Sequence, residues 1–295
     1  MSNKRFHHKP SFFTVLVVIQ LAFVFYFVFA CIGFNILISF TDWSGLKPLT
    51  EINLIGLENY VKLIFFKREF HISFLNNMLI YAIVVPASIG IGLLLSSLLH
   101  IAGRSEPFFR TCYLLPFSLA YVVVGILWLY VYYPNIGILN TTLKFLHLPE
   151  RHWLSEPQTA RFALLVPMIW QYSGFAALVL LGGLRSIPLE IMESAKIDGA
   201  SGFTMFRYIV LPHLRYPIYF LYVIISTWAL MTFDLIWIMT GGGPGVETSV
   251  LSILGYKYAF GYNYFGLGAA VFTLLTLLNW GLALPVYFYL QRRGV

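Results

Sequence analysis

The feature that most constrains the fold is a set of long apolar runs with almost no charged side chains. The first run, residues 10–41, contains no Asp, Glu, Lys or Arg. It is far longer than the apolar core of about 7–15 residues in a cleavable signal peptide. A helix of about 20 mainly apolar residues can cross a bilayer. Six runs of this length predict six transmembrane helices, near residues 12–40, 72–100, 109–133, 161–184, 213–240 and 264–290.

These runs predict an all-α polytopic membrane protein, with one membrane domain over residues 12–290 between tails at 1–11 and 291–295. Only 11% of the residues are charged and 59% are hydrophobic, whereas about 25% of a soluble domain is charged. A soluble enzyme is therefore excluded. The net charge of +7 is scattered rather than gathered in a Lys/Arg run, so no nucleic acid partner is expected.

The basic residues predict the orientation of the chain. An even number of spans places both termini on one side. With the termini in the cytoplasm, the cytoplasmic segments hold 11 of the 19 Lys and Arg residues, including short basic patches at 4–9, 104–110 and 292–293. Positive residues are enriched on the cytoplasmic side of membrane proteins. We therefore expect a multi-pass protein of a bacterial-type cytoplasmic membrane with both termini in the cytoplasm.

Two outer segments, residues 41–71 and 134–160, are long enough to contain short helices. Leu57, Val61 and Ile64 recur at helical spacing, which predicts an amphipathic helix over Gly56–Phe66. Such a helix either lies on the outer membrane surface or packs as a lid on the helix bundle.

The loop of residues 185–212, between the fourth and fifth spans, is predicted to contain two short helices in series. Pro188 favours the start of the first helix, and Gly199 favours its end because glycine adopts the left-handed conformation without steric cost. Ser201 is a candidate cap for the second helix, which Pro212 is expected to end. Each helix is expected to have one apolar face, formed by Ile187, Ile191 and Ala195 in the first and by Phe203, Phe206 and Val210 in the second.

The loop also carries a specific motif. Glu193-Ser-Ala-Lys-Ile-Asp-Gly199-Ala, followed by Ile209-Val-Leu-Pro212, resembles the EAA loop of permease subunits in binding-protein-dependent ABC importers, in the sugar and glycerol-3-phosphate branch. Further stretches agree with this family, among them Leu115-Pro116, Phe233-Asp234 and Thr240-Gly-Gly-Gly-Pro-Gly245. Ser194 departs from the usual second alanine but is also small.

The resemblance implies that this loop is a cytoplasmic coupling helix that docks on an ATPase. The coupling residues it implies are Glu190, Glu193, Ser194, Ala195, Asp198, Gly199, Ala200 and Pro212, with Glu193, Ala195, Asp198 and Gly199 as contact and hinge residues. It further implies four kinds of partner: a second, homologous permease in a heterodimer, two ABC ATPase subunits, an extracytoplasmic solute-binding protein and a carbohydrate substrate. ATP and Mg²⁺ would bind the ATPases, so this chain would bind no cofactor and catalyse no covalent chemistry.

A candidate substrate pathway lies in the fourth and fifth spans. Asp234 is the one charged residue that the sequence places well inside a span, where a carboxylate must face the bundle interior, water or a partner group. Aromatic rings near it suit the apolar faces of a sugar. The candidates are Trp170, Gln171, Tyr172, Trp228, Phe233, Asp234 and Trp237. Structural packing, and gating for Asp234, are the alternative interpretations of these residues.

Two other function classes remain open from the sequence. An ion-gradient-driven secondary transporter would use Asp234 as its coupling carboxylate, although such carriers often show internal repeats and several intramembrane charges. An intramembrane enzyme would be active as the purified chain alone. The Gly241–Gly245 run lacks the Lys-Ser/Thr that completes a phosphate loop, and the seven histidines lack the spacing of a metal site.

Overall fold

The computed structural model describes residues 12–45 and 47–291. Fifteen α-helices occur in these two ranges, some of them joined by short 3₁₀ or π-helical turns. They are α1 Phe12–Ser39, α2 Glu58–Val61, α3 Arg68–Ile101, α4 Glu106–Ser118, α5 Tyr121–Val131, α6 Ile138–Phe145, α7 Pro157–Ala163, α8 Leu165–Arg185, α9 Leu189–Ile197, α10 Gly202–Met205, α11 Leu211–His213, α12 Arg215–Leu230, α13 Asp234–Thr240, α14 Leu251–Tyr256 and α15 Phe265–Gln291. Apart from one antiparallel bridge between Thr41 and Leu54, the described residues contain no β-structure. The predicted all-α class is confirmed.

Four helices in the described ranges are long and apolar enough to cross a membrane, and they lie at the first, second, fourth and sixth predicted spans. They are Phe13–Ser39, Arg68–Ile101, Pro157–Arg185 and Phe265–Val286. Two further helix pairs qualify only if each bent pair counts as one span. The described residues therefore provide four spans, or up to six.

The third and fifth predicted spans are wrong as continuous helices. In the third, Gly103–Ser118 and Tyr121–Val131 meet at 99° across the extended residues 119–120. The fifth begins at a 65° bend at Leu214, where it joins the loop helix Gly202–His213, and is broken at residues 231–233. Apolar residues lie on both sides of each break, so the length of an apolar run could not locate it.

The centre of the bundle is formed by α3, α8, α4 and α12, and small residues allow close approach. A Cβ placed on Gly92 of α3 would lie 2.5 Å from the Cβ of Ala176 in α8. A Cβ placed on Gly174 of α8 would overlap the carbonyl oxygen of Tyr113 in α4. Helices that meet in a membrane commonly use small residues in this way.

We expect Gly174→Ala to destabilise the bundle by about 1–3 kcal/mol, because the added methyl group forces α4 and α8 apart. Gly182→Ala on the same helix is the matched control, since no atom lies within 4 Å of a Cβ at that position. Thermal unfolding of the two purified variants in detergent checks the prediction. Equal midpoints for both variants would contradict it.

The predicted outer helix is present, but its predicted apolar face does not pack on the bundle as a lid would. Residues 58–61 form α2 and residues 62–66 continue it as a π-turn. Leu57, Val61 and Ile64 are exposed, whereas Asn59 and Leu63 are buried. The Asn59 side-chain amide donates to the carbonyls of Ser39 and Thr41 at 2.9 and 2.8 Å. These two hydrogen bonds at the end of α1 set the rotation of the helix.

Candidate functional site

The loop between α8 and α12 contains the two short helices that its sequence predicts. The first, α9, ends at Gly199, whose φ angle is +84°. The Gly199 N–H donates to the Lys196 carbonyl at 3.0 Å, and the Ala200 N–H donates to the Ala195 carbonyl at 2.9 Å. A left-handed glycine with these two bonds is a Schellman motif. The end of α9 is therefore fixed in direction.

One face of α9 packs inside the chain. Ile187 and Ala195 are buried and Ile191 is half-buried, as the apolar periodicity predicts. Ala195 is only 7% exposed, so it packs against the chain and does not face outward. The contact role that the family resemblance implies for it stays a prediction.

The opposite face of α9 is open to the surroundings. The exposed coupling candidates are Glu190, Glu193, Ser194, Asp198, Gly199 and Pro212, while Ala200 is half-buried. Sequence reasoning missed two apolar members of this face: Leu189 and Ile197 are 73% and 86% exposed. We call Leu189, Glu190, Glu193 and Ile197 the exposed face of α9. Its apolar side chains next to carboxylates are typical of a protein-binding surface.

The second short helix runs over Gly202–His213 and ends one residue after Pro212, close to its predicted end, and the chain turns at Leu214. Ser201 occupies the cap position without a side-chain hydrogen bond. The predicted apolar face is wrong at Phe203, which is exposed. Val210 is buried and Phe206 half-buried as predicted, and Met205 is buried in place of Phe203, because the π-turn between Met205 and Val210 changes the spacing of the face.

The base of the loop is tied to α4 by an ion pair between a buried carboxylate and an exposed guanidinium. Glu106, at the start of α4, is buried, and its Oε2 accepts from the Arg185 guanidinium at 2.8 Å. Its Oε1 lies 3.5 Å from Arg110. Arg185 is the last residue of α8. The segment that leads into α9 is therefore connected directly to the broken α4–α5 pair.

The predicted pathway residues do not form one site, and the first group surrounds Trp228. The Trp228 ring lies 5.7 Å from Tyr172, 5.1 Å from Phe175 and 5.5 Å from Phe117. This group lies beside the break between α4 and α5. Gln171 is buried and donates to the Leu119 carbonyl at that break, at 3.0 Å.

The second group lies at the break between α12 and α13. Phe233 stacks on Trp237 at 5.5 Å, and Tyr256 contacts both rings. Asp234 is the first residue of α13 and is exposed, and it forms no hydrogen bond or ion pair within residues 12–45 and 47–291. The span is therefore not continuous at Asp234, and the exposed carboxylate agrees with the expectation that it faces water or a partner group.

Trp170 belongs to neither group. Its ring packs edge-on against Trp128 at 5.9 Å, and it lines an apolar cavity of about 420 Å³ with Tyr113 and Ser173. The candidate pathway thus divides among three aromatic groups, of which only the first is largely enclosed by the chain.

Sequence reasoning missed the polar residues that hold the broken segments in place. The Asn77 amide donates to the Leu230 carbonyl at 2.9 Å, and its oxygen accepts from the Leu251 N–H at 2.8 Å. Asn76 donates to the carbonyls of Glu247 and Ser249, both at 2.8 Å. The available signal was a pair of adjacent asparagines in an apolar run, because buried amides need hydrogen-bond partners.

Comparison with known proteins gives consistent results. The family model described as "binding-protein-dependent transport system inner membrane component" matches residues 88–292. A probable ABC transporter permease protein of Pyrococcus horikoshii is 41% identical over 91% of both chains. A xylose/arabinose import permease protein of Haloferax volcanii is 32% identical over 90% of this chain and 84% of its own. A trehalose/maltose transport system permease protein of Thermococcus litoralis is 31% identical over 81% of both.

Solved structures resemble the fold over nearly the whole chain. The crystal structure of a bacterial ABC transporter involved in the import of the acidic polysaccharide alginate matches with a TM-score of 0.81, covering 96% of both chains at 21% identity. The same fold thus occurs at low sequence identity.

Proposed function

Because the chain belongs to the family of binding-protein-dependent transport system inner membrane components, we propose that it is the permease subunit of an ABC importer for a carbohydrate. Relatives that match most of its length are named for the import of xylose and arabinose or of trehalose and maltose. The half-enclosed aromatic group around Trp228 supports a carbohydrate, because aromatic faces suit the C–H faces of a sugar ring.

In this proposal the chain forms half of the transport pathway. A second, homologous permease forms the other half of a heterodimer, and a solute-binding protein outside the membrane delivers the substrate. Two cytoplasmic ATPase subunits bind ATP and Mg²⁺, and both termini of this chain lie on their side of the cytoplasmic membrane. The permease itself would hold no cofactor.

The observation that carries the coupling part of the proposal is the exposed face of α9 on a fixed base. The Schellman motif at Gly199 sets the direction of the helix end, and the Arg185–Glu106 pair ties the start of the loop to α4. An ATPase that docks on this face can displace α4 and α8 together. ATP would then shift the transporter between conformations, since the closed ATPase would bind one of them better.

Placing a charge on this face is expected to release the ATPases. Ile197 is 86% exposed, so Ile197→Asp should leave the fold intact while burying an unpaired carboxylate in the proposed interface. Phe145→Asp is the matched control, since Phe145 is equally exposed on α6, on the predicted opposite side of the membrane. Tagged complexes purified in mild detergent should retain the ATPases with the control and lose most of them with Ile197→Asp. Equal recovery would contradict the docking role of α9.

The ion-gradient alternative receives no support from these findings. Its coupling carboxylate, Asp234, lies exposed at a helix end and not among other charged side chains inside the bundle. The relatives that match the chain are named as ABC permeases or as import permeases.

A further inference from the structure

A recess of about 480 Å³ lies at the end of the bundle that faces outward in the proposed topology. Four stretches of the chain converge on it: the end of α5, residues 152–155, the end of α13 and the turn at Gly243–Pro244. Its volume is within the range of about 300–1,000 Å³ for small-molecule pockets. None of the predicted pathway residues lines it.

One wall of the recess is held rigid by buried hydrogen bonds. Asn140 is almost fully buried, and its oxygen accepts from the Trp153 indole N–H at 3.1 Å and from the Arg151 N–H at 3.2 Å. The Tyr132 hydroxyl donates to the Ala163 carbonyl at 2.8 Å. The two rings of this wall, Tyr132 and Trp153, are 6.1 Å apart. Their positions are fixed without any ligand.

The opposite wall is also fixed. The Thr248 hydroxyl donates to the Gly243 carbonyl at 2.7 Å and lies 2.8 Å from the Thr240 hydroxyl. One residue earlier, Glu247 forms an ion pair with Arg161 of α7. The turn that closes the recess is therefore pinned to two helices, and binding would cost little ordering entropy.

Three polar side chains line the recess between these fixed walls. The Tyr133 hydroxyl, the His152 imidazole and the Ser155 hydroxyl have no hydrogen-bond partner among the residues that the structure describes, and all three side chains are exposed. Tyr133 is 52% exposed and presents a ring face as well as its hydroxyl. The lining contains no Asp, Glu, Lys or Arg.

Aromatic faces beside hydrogen-bond donors and acceptors suit a polyhydroxylated ring. Because no Lys or Arg lines the recess, it contains no such cation to pair with the carboxylate of an acidic sugar. We propose that this recess is a receiving subsite for one neutral saccharide ring at the outer mouth of the pathway. The proposal rests on the proposed function as a carbohydrate importer. It adds a site outside the bundle and a preference for neutral over acidic sugars.

The test uses the purified transporter complex in lipid nanodiscs without the solute-binding protein, with trehalose, xylose and glucuronate as probes. Saturation-transfer NMR should detect the two neutral sugars and give a much weaker signal for glucuronate. The double variant His152→Ala, Ser155→Ala should bind the neutral sugars about 10-fold more weakly, because each lost hydrogen bond to an uncharged group has a modest effect. His71→Ala, an exposed histidine that does not line the recess, is the matched control and should bind as the wild type does.

Either of two results would overturn the subsite: no saccharide signal in the wild type, or unchanged saccharide binding by the double variant. If the double variant kept its saccharide binding but lost affinity for the solute-binding protein, the recess would be a protein-docking surface. Failure of the proposed function would show differently, as absence of the ATPases from the purified complex or of ATPase stimulation by the loaded binding protein.

Discussion

Replacing Gly199 with tryptophan is expected to reduce ATP-driven transport roughly 100-fold, near the upper end of typical coupling between distant sites. No atom of the chain lies within 4 Å of a Cβ at this position, so the first atom of the new side chain meets no steric barrier inside the permease. The indole projects from the end of α9, where the ATPase is proposed to dock. The φ of +84° adds backbone strain of about 1–2 kcal/mol for a residue with a side chain, which loosens the helix end.

Two controls separate docking from strain. Gly103 also has a positive φ, +56°, and open space around it, so Gly103→Trp carries similar strain away from α9 and should transport nearly normally. Gly199→Asn should retain most activity, because asparagine tolerates the left-handed conformation. Transport and ATPase stimulation by the loaded binding protein are measured in proteoliposomes. Normal ATP-driven transport by Gly199→Trp would rule out the coupling role of this loop.

Replacing Asn77 with leucine is expected to prevent stable folding. The substitution leaves the Leu230 carbonyl and the Leu251 N–H without partners in the protein interior. Each unpaired buried group costs about 1–3 kcal/mol, and no water in the bilayer core can replace the lost bond. The summed cost of about 2–6 kcal/mol is a large part of the typical stability of a folded domain, about 5–15 kcal/mol.

Ser97→Leu is the matched control for Asn77→Leu, since Ser97 lies on the same helix but is exposed and bonds only within its own turn. Size-exclusion profiles and thermal unfolding in detergent should show a folded control and an aggregated or strongly destabilised Asn77→Leu. A folded Asn77→Leu with the wild-type midpoint would mean that α12 and α14 do not depend on this side chain.

Local signals in the sequence were sufficient for the straight helices and for the end of α9. Apolar runs of the right length predicted the segments that contain α1, α3, α8 and α15. Gly199 predicted the end of α9 because a left-handed residue is needed there and glycine supplies it. Each of these features depends on residues close together in the chain.

The breaks could not be predicted because distant residues stabilise them. Gln171 binds the free carbonyl of Leu119, 52 residues earlier in the chain. Asn77 binds the free carbonyl of Leu230, which lies 153 residues later in the chain. Without these partners a broken helix in an apolar run would leave unpaired carbonyls, so hydropathy alone favours a continuous span. The exposure of Asp234 follows from the second break.

The same limit applied to the faces of short helices. As a lid, the outer helix would pack Leu57, Val61 and Ile64 against the bundle, but hydrogen bonds from Asn59 turn them away. In the loop, the π-turn shifted burial from Phe203 to Met205. A π-turn holds about one residue more per turn than an α-helix, and the apolar pattern of the sequence does not reveal where such a turn occurs.

The break at residues 119–120 gives α4 the geometry of a lever. Its 13 residues correspond to an arm of about 20 Å. The Glu106–Arg185 pair lies at one end, and the break, which is the pivot and where Gln171 donates to the Leu119 carbonyl, lies at the other. Beyond the pivot, α5 packs on α13, with Gly125 against Ile238. A rotation of about 10° about the pivot would move the Glu106 end of this arm by about 3 Å while α5 stays in place. Force applied at the loop would thus move the Glu106 end of α4 most, and would move Phe117, which lies beside the pivot, least.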